Sequence, residues 1–229
     1  MASREVLISI LHGTRASGTV KVTQLIELAR TPRDNIHADL EELVTIDLIS
    51  FVGDNVSCSS EQRIALAVKA LEKGADPERV CRKLDWREFE EIATIALNLN
   101  GYNTTKHFVF KHSEMKREID LVGVRATLAL CIDCKHWMYG WQISKIRVAA
   151  RRQIERTEAL AAEASNNADR LGLCHATRYV FQPLLVTLAD IPTRTVENVP
   201  IVPILRTRAF LSELADLSVP PFLRFIGQT

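Results

Sequence analysis

Apolar residues recur along this 229-residue chain at two different spacings, and the pattern changes near residue 85. Before that point every segment reads as a short helix or a short strand. REVLISILH at 4–12 predicts a helix, and a Gly/Thr/Ser stretch follows at 13–19. VTQLIELA at 22–29 predicts a second helix, broken by Pro32. Asp34 is placed to cap a third, in which Ile36, Leu40, Leu43 and Val44 fall at helical spacing. Runs at 48–52 and 56–58 flank Gly53-Asp54-Asn55, a turn signal between two short strands. Ser59 or Ser60 can cap a helix running to about residue 73, ended by Gly74, and Asp76-Pro77 opens another to about residue 84.

From Asp85 the pattern becomes α/β. DWREFEEIATIALNLNGY predicts a helix stopped by Gly101, with Phe89, Ile92, Ala93, Ala96 and Leu97 on one face. HFVFKH, REIDLVGV and TLALCIDCKHW are three β-type runs joined by short links. Residues 142–164 form a long basic amphipathic helix, YVFQPLLVTL and VPIVPIL two more strands, and RAFLSELADL a last helix. The expected order is α-β-β-β-α-β-β-α. The chain therefore divides into a module of three helices closed by a hairpin (1–58), a helical connector (59–84) and an α/β domain (85–229). No internal repeat or low-complexity segment interrupts it.

The first module has a winged-helix-like pattern, and such a module reads duplex DNA by laying its third helix in the major groove. Here that helix carries Asp39, Glu41 and Glu42, which phosphates repel, so dimerisation or partner binding is the expected use. Charge divides the same way. The formal net charge is +1, but residues 1–60 carry −3, 61–135 carry +1 and 136–229 carry +3, which directs phosphate to the C-terminal part. A content of 47% hydrophobic and 25% charged residues permits an ordinary core. Five cysteines, an odd and sparse set, predict reduced thiols. MASREVLISILHG lacks a long apolar run with a cleavage site, and no stretch approaches the roughly 18 apolar residues of a membrane span. The expectation is a soluble cytoplasmic protein with no membrane partner.

Chemistry concentrates in EID at 118–120 and CIDCK at 131–135. Side chains alternate along a strand, so Asp133 and Lys135 share a face. If Val124 pairs with Thr127, Asp120 opposes Cys131 and lies diagonal to Asp133, roughly 7–8 Å away at Cα. A one-residue slip would put Asp120 on the wrong face. Two adjacent carboxylates in a half-buried sheet repel each other and lose hydration, and a hard cation such as Mg²⁺ or Mn²⁺ relieves both costs. Such an ion orients a water and neutralises a phosphodiester, with Lys135 beside the water, the Cys134 carbonyl completing the coordination, and Glu90 or Glu91 closing the site. The plainer reading is a surface Asp–Lys pair worth at most about 1 kcal/mol. The position of these charges at the end of the apolar run ALCI argues for a task.

These residues resemble the PD-(D/E)XK, or restriction-endonuclease-like, nuclease superfamily, and within it the Mrr-like and archaeal Holliday-resolvase-like branch. The resemblance lies in WREFEEIA before Gly101-Tyr102, in KREIDLVG, in IDCKHW, and in the VPIVPI strand with its last helix, over about residues 85–215. It implies a restriction-endonuclease-like mixed sheet flanked by helices, and a Mg²⁺-dependent endonuclease acting on DNA. It assigns Asp120 and Asp133 as metal ligands, Lys135 as the catalytic lysine and Glu90 as the helix glutamate, with Glu91 in reserve. Ile119 stands where many members carry proline, as is common in this branch. Members often have a glutamine on the following helix, a place beside the nucleic acid that Gln153 is expected to fill, with Gln142 as the alternative.

Other signals are weaker. Cys131 and Cys134 are three apart on a strand and point to opposite faces, so buried free thiols outweigh a zinc site. Lys145, Arg147, Arg151, Arg152 and Arg156 on the long helix, with Lys116 and Arg117 from a strand link, either line a DNA backbone or form a solvated face. His136, Trp137, Tyr139 and Trp141 either stack on bases or pack a strand end. His107 and His112 are read as surface residues. A non-catalytic DNA-binding or regulatory protein that keeps the nuclease fold, or a nuclease acting on RNA, is the alternative. Cutting two strands makes a homodimer plausible.

Overall fold

In a computed structural model, the described residues are 2–136, 142–188, 191, 193–215 and 222–229. Trp137, Tyr139 and Trp141, considered above for base stacking, lie outside them. The chain forms two compact units, Met1–Phe89 and Glu90–Thr229.

In the first unit, α1 (Arg4–Gly13) begins where the Ser3 hydroxyl accepts the Val6 N–H, and its apolar stripe is buried. It is followed by β1 (Thr19–Lys21), α2 (Val22–Ala29) and α3 (Arg33–Thr45), then β2 (Ser50–Val52) and β3 (Asn55–Ser57). The N-cap of α3 is Pro32 rather than Asp34. Proline's fixed φ carries the chain into the helix, and Asp34 sits in the first turn facing the positive end of the dipole. β1 begins on Thr19, the last residue of the Gly/Thr/Ser-rich stretch, pairs antiparallel with β3 and completes a sheet ordered β1-β3-β2. Next come α4 (Ser60–Glu72), held at its start by a reciprocal Ser59–Gln62 capping box, and α5 (Pro77–Cys81), capped by Asp76. A buried ion pair ties this unit together: Arg63 Nε donates to Glu88 Oε1 at 2.6 Å, and the same guanidinium donates to the Leu11 and Lys83 carbonyls at 2.8 Å. Both ions are almost wholly out of solvent, so the fork geometry offsets the desolvation of each.

The second unit is mixed α/β, a large mixed sheet flanked by helices. Helix α6 (Trp86–Leu99) leads into it and ends near Gly101, which adopts φ +78°. Then follow β4 (Asn103–His112), β5 (Met115–Arg125), β6 (Leu128–Lys135), α7 (Ile143–Ala162), the short α8 (Ala168–Leu171), β7 (Arg178–Thr187), β8 (Thr195–Val196), β9 (Val199–Pro203), α9 (Thr207–Ala215) and β10 (Phe225–Gln228). The sheet order is β4-β5-β6-β7-β9-β8, with β10 also on β7. β6, β7 and β9 run parallel, and the remaining pairs are antiparallel. α7 makes the crossover between β6 and β7. Its Ala159, Leu160 and Ala161 pack on Phe108, Ile119, Val122, Cys131 and Phe181, the small residues allowing close approach. On the α6 side, a Cβ on Gly123 would touch Leu97 at 3.4 Å. α8, β8 and β10 stand outside the expected element order; each is four residues or fewer, too short for periodicity to register. Among the described residues, no helix is long and apolar enough to cross a membrane.

Two features of the β4–β5–β6 meander set the site. The hairpin between β5 and β6 turns on two residues, Ala126 and Thr127, with Ala126 at φ +50°. Val124 therefore pairs with Ala129, not with Thr127 as expected from a tighter link. The register differs by two, an even shift that by itself turns no side chain to the other face. Second, β5 changes face midway. Ile119 and Val122 lie three apart yet enter the same core cluster, so alternation breaks between them, beside Asp120. The break is matched on β4 by His107, at φ +48° between the paired residues Lys106 and Phe108. A β-strand histidine in the left-handed region costs about 1–3 kcal/mol, which the surrounding ladder must sustain.

Candidate active site

β6 is buried from Ala129 to Asp133 because helices cover both faces of a central strand. Asp133 follows this apolar run and is only 3% exposed. Its carboxylate accepts from Lys135 Nζ at 2.8 and 2.9 Å, and Arg156 of α7 approaches it at 3.4 Å. Burial pushes the Asp133 carboxyl above the usual range; Lys135 and Arg156 oppose that shift, and Asp120 adds to it.

The ladder between β5 and β6 ends at Leu121–Ile132. Beyond it the Asp120 side chain takes the place of a backbone partner, its Oδ2 accepting the Cys134 N–H at 2.9 Å. Asp120 is thereby held one residue from Asp133 and one from Lys135. The Cys134 thiol is pushed well above its ordinary value, first by burial and then by Asp120, Glu90 and Asp133, so it stays a neutral thiol. Cys131 is a buried free thiol, raised by burial to about 12.

α6 supplies Glu90, which is 7% exposed. Burial raises its carboxyl to about 7, with Asp120 the next contribution and His107 opposing. The neighbouring Glu91 points away and pairs with Lys106 at 2.5 Å, so of the two only Glu90 joins the cluster. His107 is exposed, as read from the sequence, and it also lies between two carboxylates: Nε2 is 3.5 Å from Glu90 and Nδ1 3.3 Å from Glu118. Nothing in HFVFKH signals this, because it depends on the strained backbone across from Asp120. His112 pairs with Glu163 at 3.0 Å.

The basic residues separate into groups. Lys145, Arg152 and Arg156 line a pocket with Asp133 and Lys135. Arg151 instead shares Glu197 with Arg147, at 3.1 and 3.4 Å. Lys116 and Arg117 lie toward the β4–β5 turn, with Lys116 about 13 Å along the strand from Asp120. Arg117 sits across from Phe110 with a buried Nε. Gln153 cannot touch nucleic acid as expected: it is fully buried and donates its amide to the Cys131 carbonyl at 2.7 Å. The helix turns position 153 into the core, and its remaining amide oxygen has no hydrogen-bond partner among the described residues. Gln142, the alternative, is exposed at the start of α7. Arg156 was not separated from the other helix cations in the sequence; only its spacing from Lys145 and Arg152 marks it.

Among the described residues no three Asp, Glu, His or Cys side chains stand in an arrangement that would hold a metal ion. The donor set nonetheless suits one in type. Glu90, Asp120 and Asp133 present hard oxygens, and the burial that chiefly raises Glu90 and Asp133, with Asp120's repulsion adding to it, is a cost that a divalent cation relieves.

No family model matches the chain. It is 28% identical over 130 residues to an uncharacterized protein of Archaeoglobus fulgidus, a match covering 56% of this chain and 91% of that protein. Among solved structures it is similar to AF1548, a protein of unknown function, with TM-score 0.30 and 17% identity over 43% of this chain and 46% of the other. A second is protein VC1899 from Vibrio cholerae, with TM-score 0.39 and 12% identity over 92% of this chain and 49% of the other. The chain thus spans about half the length of either solved protein.

Proposed function

We propose that the second unit is a restriction-endonuclease-like catalytic domain and that the chain is a metal-dependent endonuclease hydrolysing phosphodiester bonds in DNA. The observation that carries this reading is the seating of Asp120 on the Cys134 N–H at 2.9 Å, which brings two acidic groups and the Lys135 amine to one spot. A bound Mg²⁺ or Mn²⁺, held by Asp120, Asp133, the Cys134 carbonyl and Glu90, would neutralise the phosphodiester and acidify a water.

The side chains have their own tasks. Lys135 supports the attacking water or the charge that develops on the phosphate. Arg156, 3.4 Å from Asp133, keeps positive charge on the α7 side of the cut. Glu90, raised to about 7 first by burial and then by Asp120, would release its proton as the ion binds and hold it as a carboxylate. Lys145 and Arg152 face the phosphates. The first unit, read as winged-helix-like, presents an acidic α3 and serves a protein partner or a second copy rather than a DNA groove.

A second reading has one observation in its favour. Asp133 is already closed by Lys135 and Arg156, as suits a nucleic-acid-binding protein without catalysis. The deciding experiment incubates the chain and Asp133→Asn with linear, methylated, nicked, flap and four-way DNA and with RNA, in Mg²⁺, Mn²⁺ or EDTA. Cleavage that needs both metal and Asp133 supports the nuclease. Binding unchanged by EDTA, with every substrate intact, supports the second reading.

A further inference from the structure

The pocket beside Asp133 holds more positive charge than that carboxylate balances. It encloses about 220 Å³, with Lys135, Lys145, Arg152 and Arg156 set around Asp133. Lys145, Arg152 and Arg156 fall on one stripe of α7, and Val148 and Ala149 fill the space between them with apolar surface. Lys135 and Arg156 pair with Asp133. Lys145 and Arg152 make no ion pair with an acidic side chain among the described residues, whereas their neighbours Arg147 and Arg151 share Glu197.

We propose that this pocket binds the terminal phosphate monoester of a nucleic-acid strand. A phosphodiester within a strand carries one negative charge, and a monoester carries about 1.5 to 2 at neutral pH with three acceptor oxygens. Four cations around one carboxylate leave a surplus of three positive charges, and the two without an acidic partner, Lys145 and Arg152, can meet the monoester's charge. The Arg152 guanidinium can grip two of its oxygens as a fork, with Lys145 as a point charge on the third. That the monoester belongs to a nucleic acid rests on the nuclease reading above; that it is a monoester rests on the charge of the pocket. An endonuclease so built holds the phosphate end that its own cut creates.

The test is fluorescence anisotropy of the full chain in EDTA with one short labelled oligonucleotide bearing a 5′-phosphate, a 3′-phosphate or hydroxyls at both ends, and with inorganic phosphate as competitor. One phosphate-ended form is expected to bind about tenfold tighter than the hydroxyl form, and which one identifies the end. The Lys145→Ala/Arg152→Ala variant, its fold checked by circular dichroism, loses that preference; Lys145→Arg/Arg152→Lys keeps most of it. Equal binding of all three forms, or a preference surviving in the alanine variant, overturns the proposal. So does competition by inorganic phosphate without preference for either end. A phosphate preference without cleavage in Mg²⁺ sinks only the nuclease reading, and cleavage without the preference sinks only this one.

Discussion

Replacing Glu90 with glutamine removes a charge that the fold holds at a cost. The Glu90 carboxyl is raised from 4.5 to about 7, by burial first and by Asp120 next. A group whose folded pKa exceeds its unfolded value binds its proton more tightly when folded. The stabilisation is fully present below 4.5 and is lost as pH rises to about 7. A shift of that size corresponds to at most about 3 kcal/mol, and water at the 9% of the side chain still open reduces it to about 1–2 kcal/mol. Glutamine has nearly the same shape and does not titrate. Glu90→Gln should therefore match the wild type near pH 4.5 and exceed it by about 1–2 kcal/mol near pH 8.5. Urea denaturation followed by circular dichroism at the two pH values measures the difference. An offset that does not change with pH, or a variant weaker than wild type at pH 8.5, would refute the claim that Glu90 sits desolvated among like charges.

Asp133→Asn should reduce any metal-dependent cleavage by at least about 100-fold without lowering the melting temperature by more than a few degrees, checked on plasmid and by calorimetry. Arg63→Ala leaves Glu88 buried without its partner and should cost about 3–5 kcal/mol in urea denaturation; Arg63→Met with Glu88→Leu should recover most of that. Gly227→Ala forces a Cβ to 2.6 Å from Phe181 and 2.7 Å from the Ala161 carbonyl, so a loss of about 1–3 kcal/mol is expected in the same assay. At His107, φ +48° favours glycine, and His107→Gly should be about 1 kcal/mol more stable than His107→Ala; equal stabilities would mean that the backbone there relaxes.

Much of the architecture was legible because it repeats locally. α1, α2, α4, α6 and α7 carry apolar stripes at helical spacing, and Ser59, Asp76 and Gly101 mark ends through chemistry confined to a few neighbours. β5 and β6 were readable as strands through dense apolar runs. β1 and β10 were not, because each is four residues or fewer and owes its extended form to a partner strand distant in sequence.

The same division runs through the site. Strand parity alone puts Asp133 and Lys135 on one face, and that survives a register differing by two because side-chain direction repeats every two residues. Parity could not foresee the face change at Asp120, the left-handed His107 across from it, or the choice of Glu90 over Glu91, since each depends on which backbone lies alongside. Nor could it separate Gln153, turned into the core, from Arg156, turned onto Asp133: the angle at which α7 rests on the sheet decides that. From the sequence came the residue types and their faces, a matter of covalent geometry. Where those faces meet, and how much water remains between them, is a property of packing among segments far apart in the chain.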